Sequence, residues 1–273
     1  MFVAVSAVLP LMAWCSVATV ALLTLRNGSL AGGRALLVGM LAYALAAMWT
    51  IPAIAAFCMA FMSFIPCYIA AYILRATASW SVSAVAMVFF ACIGVILVLC
   101  FFPDFMVLQY QSLLFFLKNS AGSEQILPIW LQNPELMAHL LLGLEAVSFL
   151  LSTMSSLYLA RLVQSKLYYP EGLYKDFFYF RGSYGMLALL LCASAAAYTG
   201  YMWAWSLLPV VVLFFLAVGF VVALYVLTKK SMMLTSMLLL LALMLVPFLM
   251  LPVFMLLACV DVFFDFKTRW ARA

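Results

Sequence analysis

Apolar residues in this chain run in blocks of about twenty, cut by short polar or basic stops. Residues 2–25 form the first block, with Pro10 inside it and Arg26-Asn27-Gly28-Ser29 after it. Residues 33–49, 52–74 and 79–102 follow. They are separated by Thr50-Ile51-Pro52 and by Arg75, and Trp80 stands as an interfacial anchor. A long block runs from Pro134 to about Lys166, and two more cover 184–203 and 206–228 around a tight Trp203-Ala204-Trp205 turn. Each block is long enough to cross a hydrocarbon core as a helix. The pattern predicts an all-α fold, a polytopic membrane helix bundle of about eight or nine transmembrane helices in one domain over 1–273.

Three stretches depart from simple crossing. Residues 103–134 hold an apolar run, Phe105 to Leu117, of only about a dozen residues, which predicts an interfacial helix. Residues 168–182 carry Pro170-Glu171, which reads as a helix start. From that helix start Leu173, Tyr174, Phe177, Phe178 and Phe180 recur at helical spacing, with Glu171 and Lys175 on another face, which predicts a helix lying flat on the membrane. Residues 231–266 are apolar throughout but carry Pro247 and Pro252, which predicts two half-length helices hinged between the prolines.

Composition agrees: 70% of the 273 residues are hydrophobic and 8% are charged, far from the balance of a soluble domain. The formal charge of +5 belongs to loop residues, so it marks sidedness rather than affinity for nucleic acid. Arg26, Arg34, Arg75, the cluster from Arg161 to Arg181, and Lys229-Lys230 share the cytoplasmic side when the spans alternate. A hinge in 231–266 brings the basic tail, Lys267, Arg269 and Arg272, to that side as well. The seven cysteines all lie in apolar runs without a CxxC pair, so they read as small hydrophobes rather than as a disulfide or zinc framework. No cleavable signal pattern opens the chain, so the first block reads as a retained span.

Chemistry concentrates in residues 133–183. Glu145, Ser148, Ser152 and Ser155 are spaced 3, 4 and 3, which places them within about 80° on one helix face. A carboxylate at that depth costs about 2.5 kcal/mol or more and needs a partner, a cavity or a proton. Two readings of the stripe stand side by side: a polar chamber for a substrate, ion or proton, and a neutral Glu bonded to a neighbouring helix with Ser as close-packing residues. Asp261 is the second candidate acid, against a structural pairing with a basic residue of the 161–181 stretch. His139, the one histidine, has no cluster of ligands around it in the sequence. Metalloprotease, nucleophile-elbow, Walker and dinucleotide motifs are absent from the sequence, so no enzyme activity, cofactor or ATP-driven step is expected.

Two segments carry a resemblance: LARLVQSKLYYPEGLYKDF at 159–177 and VDVFFDFK at 260–267. Together with Leu25-Arg26-Asn27-Gly28 they resemble the YybS-like family of bacterial inner-membrane proteins. That family is related in fold to the S components of energy-coupling-factor transporters, which bind vitamins or metal ions within a helical bundle and partner with a transmembrane subunit and ATPases. Relatives usually have a basic segment and more apolar length before the first proline, so the resemblance implies a late start at Met1.

The resemblance implies a multi-pass protein of the bacterial inner membrane with a cytoplasmic C-terminus. Its partners would be the lipid bilayer and other transport subunits, and it would bind a small molecule or ion at the Glu145 stripe and Asp261. The competing expectation is a structural or interaction protein that recruits partners through Arg161, Gln164, Lys175, Phe177 and Arg181. An intramembrane hydrolase built on a serine and His139 is a third reading, for which the sequence shows no paired base.

Overall fold

A computed structural model describes residues 2–49, 52–119, 132–168, 180–227 and 232–264, and among these the regular elements are all α-helices. They are α1 (Phe2–Asn27), α2 (Ser29–Ala47), α3 (Ala53–Thr77), α4 (Trp80–Phe101), α5 (Pro103–Asn119), α6 (Pro134–Tyr168), α7 (Tyr184–Tyr198), α8 (Met202–Leu227), α9 (Met232–Leu245) and α10 (Pro247–Phe264). Among the described residues six helices are long and apolar enough to cross a membrane: α2, α4, α6, α8, α10 and the Ala56–Thr77 part of α3. α7 and the Leu234–Leu245 part of α9 are shorter apolar helices.

The distribution of side-chain sizes explains how such a chain is stable. Large apolar residues point outward: Leu37, Val38, Leu41 and Leu45 along α2 are exposed, and Phe248 on α10 is 94% exposed. In water this would be an aggregating surface; in hydrocarbon it is the matched one. Inside, small residues let the helices approach. The chain divides into two compact units, Met1–Met87 with Phe149–Phe180, and Val88–Ser148 with Arg181–Ala273.

In the first unit α1, α2 and α3 pack against one another pairwise. Alanines line the seam, with Ala18, Ala21, Ala44, Ala56, Ala60, Ala70 and Ala71 all buried. Gly32 of α2 sits so close to α1 that an added Cβ would fall 2.1 Å from Thr24 Oγ1. The C-terminal end of α1 is capped by α3: Arg75 Nη1 donates to the Thr24 carbonyl at 2.9 Å and to that of Leu25 at 3.4 Å. This uses a cation where the helix dipole favours one. The second half of α6 belongs here too. Its Ser152 carbonyl accepts from Trp14 Nε1 at 3.2 Å.

In the second unit α8 is the hub, packed by α7, α9 and α10. Gly219 allows the closest approach, since a Cβ there would lie 1.8 Å from the Phe254 carbonyl oxygen of α10. Phe220 and Phe254 close the same contact edge to face, with centroids 5.9 Å apart.

The structure departs from expectation at two places, and a third expectation falls mostly outside the described residues. The turn between the sixth and seventh spans is Thr199–Tyr201, and Trp203 and Trp205 lie inside α8. Gly200, at φ 91, supplies the left-handed backbone that the reversal needs, which Trp-Ala-Trp cannot do without strain. The sixth span therefore ends at Tyr198 and is 15 residues long. The hinge in 231–266 is at Val246, just before Pro247, whereas Pro252 lies inside α10. Pro247 starts a helix well because its missing N–H is one that a first turn does not use, while Pro252 leaves only one carbonyl of the turn before it without its donor. The flat helix expected over 168–182 falls mostly outside the described residues; Phe180 to Ser183 are not helical, and Ser183 caps α7 by accepting from the Met186 amide.

Candidate functional site

α6 carries the predicted stripe, and its lack of glycine or proline between Glu145 and Tyr168 lets one helix run 35 residues. Glu145 lies in the second unit on an exposed face, and its carboxylate Oε1 accepts a hydrogen bond from Gln109 Nε2 of α5. Gln109 is half-buried, and its carbonyl Oε1 is fully buried with no hydrogen-bond partner among the described residues. Ser148, the next residue of the stripe, is exposed and donates back to the Leu144 carbonyl at 3.0 Å, as serines in apolar helices do. Glu145 and Gln109 thus join α6 to α5, with Ser148 three residues further along α6.

The rest of the stripe lies on the other unit's half of α6. Ser152 is exposed and Ser155 half-buried. Asp261 is fully buried in α10, and Glu145 is bonded to Gln109 rather than to it. Among the residues expected at a contact surface, Arg161 and Gln164 are joined, with Nη1 donating to Oε1 at 2.8 Å. Arg181 is half-buried beside Gly182, which packs against Val262 of α10 and Phe215 and Val218 of α8. Lys175 and Phe177 lie outside the described residues.

The depth of Glu145 follows from a second polar contact. His139 of α6 and Ser206 of α8 are both buried, and His139 Nδ1 and Ser206 Oγ share a hydrogen bond of 2.9 Å. One turn further along α6, Gly143 faces the Ser206 carbonyl and the Pro209 ring, where a Cβ would come within 2.7 Å and 2.9 Å. Moving forward on α6 therefore moves forward on α8, so the two helices run in the same direction at this contact. Ser206 is about 6 Å along α8 from Met202, and Glu145 is about 9 Å along α6 from His139. For helices that cross a bilayer, that puts Glu145 about 15 Å from the Trp203 end of α8, near the middle of a core about 30 Å thick. An ionised carboxylate facing hydrocarbon at that level costs about 2.5 kcal/mol or more.

Neither Gln109 nor Ser206 was singled out by sequence reasoning. Gln109 lies 36 residues from Glu145, in a helix expected at the interface, and its signal was a lone amide in an apolar run. Ser206 follows the Trp pair that was expected to be a turn. Among the described residues no group of three or more His, Cys, Asp or Glu side chains could hold a metal ion.

No family model, no curated protein and no solved structure matches this chain.

Proposed function

We propose that this protein is a binding component of the bacterial inner membrane that holds a small polar molecule or ion at Glu145, in the manner of the S components of transport systems. The observation that carries the reading is the Gln109–Glu145 pair, an acid and an amide joined at hydrocarbon depth on an exposed face of a spanning helix. Polar groups are kept at such depth when they bind a guest, relay a proton or join helices. The pair offers carboxylate and amide oxygens beside an N–H donor, with the Ser148 hydroxyl one turn away, a set suited to a cation or to a ligand rich in hydrogen bonds. The S-component likeness itself rests on the segments 159–177 and 260–267. On this reading α1 and the shorter α7 cross the membrane together with the six long helices, Lys267, Arg269 and Arg272 lie in the cytoplasm, and separate subunits supply any ATP-driven step.

Purification in mild detergent, followed by mass spectrometry of bound small molecules and proteins, tests the reading. A small molecule that co-purifies with the wild type and is lost from Glu145→Leu supports it. Partner proteins retained equally by wild type and Glu145→Leu, but lost from Arg161→Ala, would replace it with the recruitment role of the 161–181 surface.

A further inference from the structure

We propose that the lipid-facing side of α2 binds an anionic phospholipid, with Arg34 holding the headgroup phosphate and the apolar stripe beyond it lying against an acyl chain. This surface is separate from Glu145, and the inference stands whether or not a guest binds there.

Arg34 sits on the outward face of α2. At 100° per residue, Leu30, Leu37, Val38, Leu41 and Leu45 fall within about 60° of it, and all five are exposed, as Arg34 is. The packed face, at Gly32 and Gly39, lies about 140–160° away. There an added Cβ would collide with Thr24 of α1 at Gly32, and would come within 2.8 Å of the Phe64 ring of α3 at Gly39. As a membrane span, α2 therefore carries one cation in an otherwise apolar exterior stripe. A charge turned toward hydrocarbon is costly, so it is kept where it reaches an anion at the interface.

Depth and direction supply that reach. Arg34 is about 9 Å along the axis from Gly28, the single residue between α1 and α2. Side chains of a helix lean toward its N-terminus, so the Arg34 stem runs toward that end and carries the guanidinium to headgroup level. Two more arginines come to the same end. Arg26 is exposed in the last turn of α1. Arg75, exposed near the end of α3, sets Nη1 beside Gly28, where an added Cβ would lie 3.3 Å from it. That Nη1 already donates to the Thr24 and Leu25 carbonyls, so Arg75 contributes mainly its charge.

A guanidinium fits phosphate oxygens with two parallel N–H bonds, which is the contact assigned to Arg34. A soluble anion would use only the basic end of this surface. A phospholipid also lays a chain along Leu37, Val38, Leu41 and Leu45, so it is the ligand that fits the whole stripe.

Native mass spectrometry tests this with the protein released from detergent micelles that contain equal amounts of phosphatidylglycerol and phosphatidylcholine with the same chains. The wild type is expected to retain phosphatidylglycerol in preference. Arg34→Leu is expected to fold, because it completes the apolar stripe, and to retain about fivefold less phosphatidylglycerol, the loss that one cation at an anionic surface implies. Lys118→Gln, which removes an exposed cation from the last turn of α5, is expected to retain as much as the wild type. Equal retention of the two lipids by the wild type would overturn the proposal without recourse to a variant. So would an Arg34→Leu protein that keeps its phosphatidylglycerol, or a loss of the same size in Lys118→Gln.

Discussion

At the scale of single residues, glycines and polar pairs decide more than the large side chains do. Gly219→Ala is expected to force α8 and α10 apart, because its Cβ would overlap the Phe254 carbonyl. Overpacking of this kind costs about 1–3 kcal/mol. Gly94→Ala on α4, where a Cβ meets nothing within 4 Å, serves as the control and is expected to be neutral or slightly stabilising. Thermal unfolding in detergent distinguishes the two, and equal melting temperatures would remove the close α8–α10 contact from the account. His139→Ala leaves the fully buried Ser206 hydroxyl without its cross-helix partner. Such interhelical bonds are worth about 0.6–2 kcal/mol in membranes. A small loss of melting temperature is expected, restored in part by His139→Gln, whose amide can still reach a hydroxyl. A His139→Ala protein as stable as the wild type would show that the bond does not fasten α6 to α8.

At the scale of elements, long apolar runs were readable because length and a polar stop are enough to define them. α4 begins at Trp80 and ends one residue before Phe102-Pro103, within a residue or two of the expected run. α6 was readable as one long helix for the same reason. What the sequence hid was pairing. An apolar surface in lipid has no single partner, so periodicity does not say which helix Gln109 meets or which serine His139 meets. The 199–201 turn was hidden because two tryptophans in α8 look like an interfacial boundary, whereas the reversal depends on the backbone freedom of Gly200. Two element-scale predictions follow from the contacts. Gln109 reaches Glu145, so α5 is expected to enter the hydrocarbon rather than rest at its edge. In a protein without its native cysteines, Ser112→Cys is then protected from a membrane-impermeant thiol reagent, while Asn119→Cys supplies the comparison at the end of the helix. Rapid labelling at position 112 would return α5 to the interface. The break at Val246 predicts that α9 and α10 cross as two segments, so a phosphatase reporter fused after Ala273 is inactive. An active fusion would place the tail outside and make 231–266 a single crossing.

At the scale of the whole molecule, class was legible from composition alone and function was not. An apolar exterior and an alanine- and glycine-lined interior make this a multi-pass membrane protein. The remaining question is why an acid is kept at mid-depth in α6. On the proposed function Glu145, set against Gln109, is there to bind a guest. Mass spectrometry of the protein released from lipid nanodiscs, for wild type, Glu145→Gln and Glu145→Leu at matched membrane levels, tests that claim most directly. A bound small molecule or ion on the wild type, reduced at least tenfold in both variants while their helical content is unchanged, is the predicted result. Equal occupancy in all three would show that Glu145 binds no guest and serves only to hold α5 against α6.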